Sequence, residues 1–245
     1  MIKTRYLIFL VVFLCGNSAW AQVVPAWGGG ADLKDISFGF GFQYISSDFK
    51  IFKTADWRSP FFDVGSNKNV TDSLYSISST GTQGFGVGFV ARYRISDNLE
   101  IRTTPTLSFT DRTLVYRYLN AENTVSKQVN ASLVEFPLSL KIKSDRIGNF
   151  RAYILGGLKY SYGISKAAAQ DPNLSPLDRV VVSQRGYASY EAGIGIDIYF
   201  EYFKFSPEFK ISNSIGNILS PNNDPYSKPL DKLLLHSLVF TIYFE

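Results

Sequence analysis

The sequence predicts an all-β protein, an eight-stranded antiparallel up-and-down transmembrane β-barrel, and three observations lead to this fold class. Eight segments alternate apolar and polar residues with a period of two, as strands with two different faces do. The connections between these segments are alternately long and short. Aromatic residues make up 16% of the chain and charged residues only 19%, so the rings require a large apolar environment.

The N-terminal residues 1–21 are expected to be a signal peptide. Lys3 and Arg5 precede the apolar run "YLIFLVVFL", and "AWA" follows as a pattern that signal peptidase recognises. The apolar run is too short to span a bilayer, which requires ~20 residues. Residues 22–35, which include "GGG", are then expected to form a periplasmic tether.

Charge and cysteine content narrow the possible functions. Cys15 is the only cysteine, so a chain without residues 1–21 has no disulfide, no thiolate nucleophile and no cysteine metal ligand. Removal of the same segment lowers the formal net charge from +4 to +2. No basic cluster of the kind that binds nucleic acid occurs in the chain, and no nucleic-acid partner is expected.

The segment 135–143, "EFPLSLKIK", shows the alternation most clearly. Its even-numbered residues are all apolar, whereas its odd-numbered residues include Glu135, Ser139, Lys141 and Lys143. In a strand these two sets lie on opposite faces of the sheet. Each similar segment is long enough for the ~9–11 residues of a tilted membrane-spanning strand. The predicted strands are 36–45, 84–95, 99–110, 130–143, 150–163, 187–199, 202–213 and 234–245.

Connection lengths favour a membrane barrel over a soluble periplasmic β domain, which has the same alternation with its apolar face inward. Outer-membrane barrels have short periplasmic turns and long outer loops. The barrel domain is predicted to span 36–245, with both termini in the periplasm of a cell with an outer membrane. Its long outer loops are 46–83, 111–129, 164–186 and 214–233. Aromatic residues near strand ends are expected at the membrane interfaces, namely Tyr199, Phe200, Tyr202, Tyr243 and Phe244.

The polar face of the strands is predicted to form a charge network inside the barrel. Eight strands enclose a lumen that side chains fill, and buried charges there must pair because an unpaired one costs several kcal/mol. Glycines on the same face are expected to leave room for long basic side chains. We therefore expect a plugged lumen without a wide pore. The predicted network comprises Arg92, Arg94, Glu100, Arg102, Glu135, Lys141, Lys143, Arg151, Lys159, Glu191, Asp197, Lys204, Glu208 and Lys210.

The first long loop, 46–83, is the candidate docking loop. It contains "DFKIFKTADWRSPFFD", in which Trp57, Phe61 and Phe62 give more apolar surface than a solvated loop needs. Two interpretations remain open at this stage. The loop either caps its own barrel as a folded-back hairpin or offers a docking surface to a larger protein.

No catalytic residue, cofactor site or metal site is predicted. His236 is the only histidine, and the alternation puts it on the lipid-facing side, whereas the neighbouring Ser237 faces the opposite way. A Ser–His arrangement of the kind that lipid-modifying enzymes use is therefore not favoured. Asp224 and Asp231 lack the spacing of an EF-hand, and a solvated loop is expected around them.

Six blocks of sequence carry a resemblance to a known family. They are "KDISFGFGFQYISSDFKI", "WRSPFFD", "GFGVGFVARYRISDNLEIRTTPTLSFTDR", "VEFPLSLKIKSDRIGNFRAY", "SYEAGIGIDIYFEYFKFSPEFKIS" and "PYSKPLDKLLLHSLVFTIYFE". Over residues 32–245 the chain resembles the PorT family of Bacteroidetes outer-membrane proteins. The resemblance implies a part in type IX secretion, which exports proteins with C-terminal sorting domains and is linked to gliding motility in some members. Other secretion components would then be partners, and the family offers no catalytic motif. Two alternatives stay open, a lipid-modifying enzyme and a generic surface-binding or adhesion barrel.

Overall fold

The computed structural model describes residues 34–119, 124–164, 175–179, 181–220 and 222–245. The predicted signal peptide and residues 22–33 of the predicted tether lie outside these described residues. Within the described ranges, no helix has the length and hydropathy needed to cross a membrane. The helical structure among them includes a short 3-10 helix at Pro176–Asp178.

Almost all regular structure among the described residues is antiparallel β-sheet. The strands are β1 (Ile36–Lys53), β2 (Phe62–Asp63), β3 (Lys68–Asn69), β4 (Leu74–Thr80), β5 (Thr82–Arg94), β6 (Leu99–Thr103), β7 (Thr106–Tyr118), β8 (Thr124–Lys143), β9 (Phe150–Gly163), β10 (Gly186–Tyr199), β11 (Lys204–Ile215) and β12 (Leu230–Phe244).

The sheet closes into a ring because β1 pairs with both β12 and β5. Strands β4 and β5 together form one barrel strand, and so do β6 and β7, which are interrupted at Pro105. Proline has no N–H to donate to the ladder, but its carbonyl oxygen still accepts the N–H of Phe89 at 3.0 Å. The ring therefore has eight barrel strands, each antiparallel to its neighbours. The predicted eight-stranded up-and-down barrel is confirmed.

The outer surface of the ring is apolar. Along β1, Phe38 is 72% exposed, whereas Gly41 and Gln43 face inward and are buried. The same alternation continues around the ring and forms a belt that suits the hydrocarbon core of a bilayer. Representative residues of the belt are Phe40, Phe42, Phe85, Phe89, Phe109, Leu138, Leu140, Ile154, Leu158, Ile194, Phe209, Ile211 and Leu238.

Several strands are longer than predicted, so the predicted bounds of the long loops are wrong. Strand β1 continues to Lys53 and β4 begins at Leu74, which reduces the first long connection to 54–73. The predicted loop 111–129 is mostly strand, because β7 ends at Tyr118 and β8 begins at Thr124. Pairing of β1 with β12 continues through these extensions even though the inward residues there become apolar. The alternation of polar and apolar residues inverts in these extensions, and the strand continues.

The interior of the barrel has two chemically different ends. The turn end carries the short connections 95–98, 144–149 and 200–203, and its interior is charged. The loop end is opposite, and its interior is an apolar core. The core comprises Phe49, Leu74, Ile77, Leu114, Tyr116, Tyr118, Val129, Leu133, Val181, Tyr187, Ile218, Leu219, Tyr226, Leu230, Leu233 and Leu235.

The connection before β12 contributes to this core instead of extending into solvent. We call its described residues, 216–220 and 222–229, the plug segment. Ile218 and Leu219 are almost completely buried, and Asp224 is completely buried. The Oδ1 atom of Asp224 accepts the N–H groups of Tyr226 at 2.9 Å and Ser227 at 2.8 Å, which closes a tight turn. The expectation of a solvated loop around Asp224 is therefore wrong.

The inward glycines of the described strands make room for tyrosine rings and threonines as well as for a basic side chain. An added Cβ at Gly41 would overlap the ring of Tyr243, and one at Gly195 would overlap the ring of Tyr153. Gly193, which faces the side chain of Lys210, fits the predicted role. These glycines thus leave space for large polar side chains of the directly paired neighbouring strands.

We expect Gly195→Ala to destabilise the barrel by about 1–3 kcal/mol, because the new methyl group displaces Tyr153. The matched control is Gly156→Ala on the outer face, where the nearest atom to an added Cβ is the Glu191 carbonyl oxygen at 3.8 Å. This control is expected to change stability by less than about 0.5 kcal/mol. Urea unfolding in lipid vesicles measures both variants. Equal stabilities would contradict the tight contact.

Candidate functional site

Glu100 is the centre of the charged interior at the turn end. Its Oε2 atom lies 3.2 Å from Nη1 of Arg92 and 2.9 Å from Nζ of Lys143, and its Oε1 atom lies 3.3 Å from Nζ of Lys141. Lys141 also bonds both carboxylate oxygens of Asp197 at 3.0 Å. Four different barrel strands supply these residues, because Arg92 lies on β5, Glu100 on β6, Lys141 and Lys143 on β8, and Asp197 on β10.

The sequence analysis missed Glu245 as a member of this cluster. Its Oε2 atom lies 3.0 Å from Nε of Arg92 and 2.8 Å from Nζ of Lys204, and its side chain is completely buried. Its position on the polar face of the last predicted strand was a usable signal. Glu245 supplies the carboxylate that Lys204 and Arg92 share.

A second cluster lies deeper in the barrel around Glu208. Arg102 bonds Oε2 of Glu208 at 3.0 Å, and Lys210 lies 3.5 Å from its Oε1. The hydroxyl of Tyr153 donates to Glu208 Oε2 at 2.9 Å. The guanidinium of Arg102 also stacks over the ring of Tyr243 at 4.0 Å. The two tyrosines therefore give the buried charges of Glu208 and Arg102 polar contacts in addition to their ion pairs.

The charge network continues toward the loop end through Lys159. Its Nζ atom lies 3.0 Å from Glu191 Oε1 and 3.2 Å from Glu135 Oε1. Glu191 also approaches Lys210 at 3.9 Å, which links this group to the Glu208 cluster. Twelve of the fourteen predicted lumen charges thus take part in the ion pairs given above or in those with Glu245.

Arg94 and Arg151 lie at the turn end and contact the short turns there. Arg94 is partly exposed and lies 3.6 Å from the exposed carboxylate of Asp97. Arg151 donates to the carbonyl oxygens of Ser144 and Asp97, both at 2.6 Å. Arg151 therefore ties two of the short turns together.

The clusters fill the lumen at the turn end. The gap between Arg102, Lys141 and Glu208 has no room for a water molecule. Ionised groups removed from water need a partner of opposite charge, and the distances above show that these groups are paired. In the described part of the barrel, paired charges therefore fill one end of the interior and apolar side chains fill the other. This arrangement is suited to rigidity rather than to passage of solutes.

The expectation for aromatic residues near the strand ends is correct in part. Tyr202 is 84% exposed and Phe200 is also exposed, as interfacial residues are. In contrast, Tyr199 and Tyr243 are buried inside the barrel. The ring of Tyr199 lies under the guanidinium of Arg146 at 3.9 Å.

The three residues predicted for docking in the first long loop occupy different environments. Phe61 is 6% exposed, and the ammonium of Lys228 in the plug segment lies 5.5 Å from its ring. Trp57 packs against the apolar core, and Lys53 lies 4.1 Å from its ring. Phe62 is exposed on the β2–β3 hairpin. Phe61 is therefore buried and Trp57 is partly buried against the core, whereas Phe62 is exposed.

Tyr226 anchors the plug segment. Its carbonyl oxygen accepts the hydroxyl of Tyr116 at 2.8 Å, and its own hydroxyl donates to the carbonyl oxygen of Leu177 at 3.1 Å. The ammonium of Lys127 lies 4.3 Å from its ring. Burial, together with nearby carboxylates, raises the pKa of the Tyr226 hydroxyl, so it stays a donor.

The loop end carries a groove and several exposed apolar side chains. An open groove of about 500 Å³ is lined by Pro60, Val70, Tyr118, Val125 and Leu177, with other residues. Exposed apolar side chains flank it. These are Phe62, Val64, Tyr75 and Leu119.

His236 lies on the outer face, as predicted. Its Nδ1 atom is 2.7 Å from Oδ1 of Asn213, whereas Ser237 is buried inside the ring. The two side chains face opposite ways and do not form a Ser–His pair. In the described ranges, no group of three or more His, Cys, Asp and Glu side chains is arranged to hold a metal ion.

Comparison with known proteins identifies the class of this barrel. The family described as "Outer membrane protein beta-barrel domain" matches residues 31–220. The chain belongs to this family and is an outer-membrane β-barrel. The apolar belt and the family together place it in the outer-membrane bilayer. No curated protein matches the chain.

Solved structures of low sequence identity are also similar. The outer membrane protein OprG from Pseudomonas aeruginosa is 14% identical, with a TM-score of 0.46 over 89% of this chain and 95% of that chain. AlkL, solved in DMPC lipid bilayers, is 12% identical, with a TM-score of 0.42 over 94% and 96%. Neisserial surface protein A is 10% identical, with a TM-score of 0.40 over 86% and 98%.

We expect Glu100→Gln to destabilise the barrel by about 3–5 kcal/mol, because it leaves three buried cations without their shared carboxylate. Asp97→Asn is the control, since Asp97 is 83% exposed where it pairs with Arg94. Such an exposed pair contributes at most about 1 kcal/mol. Urea unfolding monitored by tryptophan fluorescence compares the two variants. A Glu100→Gln variant as stable as Asp97→Asn would contradict a tightly coupled network.

Proposed function

We propose that the chain is a non-catalytic accessory component of type IX protein secretion. On this proposal it assists the export of proteins with C-terminal sorting domains and, in motile cells, acts in gliding. The support for the secretion role is the resemblance of six sequence blocks to the PorT family. The blocks contribute to the barrel wall, the first long loop and the plug segment. The role therefore concerns the assembled barrel rather than one motif.

The closed interior is the observation that favours an accessory role over that of a conduit. Ion pairs fill the turn end, and the apolar core with the plug segment fills the loop end. An exported protein would have to displace both layers. On this proposal cargo crosses the membrane through another component, and the barrel contacts that component.

The loop end is the proposed contact surface. Phe62 and Val64 project from the β2–β3 hairpin, and Val64 is 81% exposed. Tyr75 and the nearby groove extend this apolar surface. Exposed apolar patches of this kind mark interaction sites in many proteins. On this proposal both chain termini are periplasmic, and the loop end then faces the outside of the cell.

Secretion in a deletion strain tests the proposed role directly. One protein with a C-terminal sorting domain is followed by immunoblot of medium, cell surface and periplasm. We expect this cargo to accumulate in the periplasm, and a plasmid copy of the gene to restore export. Normal export without the gene would contradict the secretion role, whereas the barrel fold would stand. Lipid A mass spectrometry and binding screens would then test the enzyme and adhesion alternatives.

Paired substitutions in the β2–β3 region separate docking from capping. We expect Phe61→Ala to destabilise the barrel by about 3 kcal/mol or more, because a buried ring is removed. The double change Phe62→Ser and Val64→Ser affects exposed side chains and is expected to change stability by less than about 0.5 kcal/mol. Affinity purification from cross-linked cells measures partner recovery for each variant. Docking predicts loss of partners from the double variant, and unchanged recovery would contradict it.

A further inference from the structure

Arg112 is a buried cation without a carboxylate partner among the described residues. It lies on the inner face of β7, between the charge network and the apolar core, and is 2% exposed. Its Nη2 atom lies 3.3 Å from the hydroxyl of Tyr187, and its guanidinium lies 5.8 Å from the ring of Phe49. Its Nε atom is buried without a hydrogen-bond partner. A desolvated guanidinium with only these contacts is costly.

Three hydroxyl groups near Arg112 are also buried without hydrogen-bond partners. They belong to Ser47 on β1 and to Ser108 and Thr110 on β7. Together with Arg112 these residues line one cavity. Buried hydroxyls almost always have a partner, so four neighbouring unpartnered groups around one cavity point to a missing polar ligand.

The other charged residues that line the cavity are already paired and do not neutralise the positive charge of Arg112. Glu135 and Lys159 also line the cavity, but Oε1 of Glu135 already accepts bonds from Lys159 at 3.2 Å and from Ser161 at 3.3 Å. Lys159 is further paired with Glu191. The other buried carboxylate near the loop end, Asp224, binds backbone N–H groups in the plug segment.

The rest of the buried network does not supply an extra negative charge. Its ion-paired cations outnumber its carboxylates before Arg112 is considered. The cations are Arg92, Arg102, Lys141, Lys143, Lys159, Lys204 and Lys210, and the carboxylates are Glu100, Glu135, Glu191, Asp197, Glu208 and Glu245.

We propose that this cavity is a binding site for one small monatomic anion of the chloride class. The guanidinium of Arg112 neutralises the anion, and the hydroxyls of Ser47, Ser108 and Thr110 donate hydrogen bonds to it. A water molecule would satisfy the hydroxyls but would leave the guanidinium charge uncompensated. The anion therefore compensates the charge of Arg112 at the boundary between the polar and apolar halves of the interior.

The size of the cavity sets the class of ligand. The centre of a water-sized sphere can move within about 10 Å³ of it, so the cavity has room for one small ligand. A monatomic anion is the smallest ligand that carries the charge needed to neutralise Arg112. Because the plug segment and the apolar core cover the loop end, the anion is expected to exchange slowly.

Bromide is the probe for a direct test. Crystals of the full chain grown with sodium bromide in place of sodium chloride are measured at the bromine absorption edge. We expect one anomalous peak within hydrogen-bond distance of the Arg112 guanidinium in the wild-type protein and none in Arg112→Gln. A peak only on the outer surface, or a water molecule without anomalous signal in the cavity, would overturn the proposal.

Thermal unfolding gives an independent measurement. In detergent, the wild-type midpoint is expected to rise by about 5 °C when chloride replaces gluconate at equal ionic strength and at a concentration far above the dissociation constant. Arg112→Gln should lose this dependence. The control is Arg117→Gln on the same strand, where the side chain is exposed, and it should keep the dependence. If wild-type stability does not depend on the anion and no bromide peak occurs in the cavity, the proposal is wrong even if Arg112→Gln fails to fold.

Discussion

The structure depends on the pairing of charges that the lipid-facing wall forces into the barrel. An apolar outer face leaves only the lumen for the polar residues of each strand, and ionised groups there are removed from water. Glu100 holds three cations, Glu208 holds two, and Glu245 holds two. Because the partners come from different strands, the same contacts that neutralise the charges also link the wall across the lumen. Charge neutrality and barrel closure are therefore one constraint.

Strand β1 shows how the wall accommodates this network. It supplies no member of the buried ion pairs described above, and its inward positions near the turn end are Gly39 and Gly41, which face Glu245 and Tyr243. Small residues on one strand let the large side chains of the neighbouring strand lie over it inside the barrel. Glu245 and Tyr243 use this space to contact Arg92 and Arg102. A wall with large inward side chains on every strand would leave no room for the pairing.

The sequence predicted the wall well and the loop end poorly, for a physical reason. Where one face meets lipid and the other meets charge, as from Ile36 to Tyr44, the alternation is strong and determines both strand and face. Beyond Ile45 the inward residues, such as Phe49, become apolar while the strand leaves the membrane and its outer face becomes polar at Asp48 and Lys50. The pattern inverts there, and an extended strand looks like a loop. Arg112 was missed because it lies in this inverted region, and the pairing of Glu245 depends on contacts between distant strands.

The inversion also bears on the proposed contact surface at the loop end. The plug segment is held by backbone hydrogen bonds. The N–H of Ile218 donates to the carbonyl oxygen of Leu233 on β12 at 3.0 Å, and the N–H of Gln184 donates to the carbonyl oxygen of Ile218 at 2.7 Å. Opening the lumen would break these bonds, expose the apolar core and separate the ion pairs below it. These costs act together, so the interior is a rigid support. The surface of the loop end can change without breaking these interior contacts. The β2–β3 hairpin with Phe62 and Val64 is attached to the barrel through buried Phe61. A rigid barrel that presents a small apolar hairpin is suited to holding another protein in a fixed position.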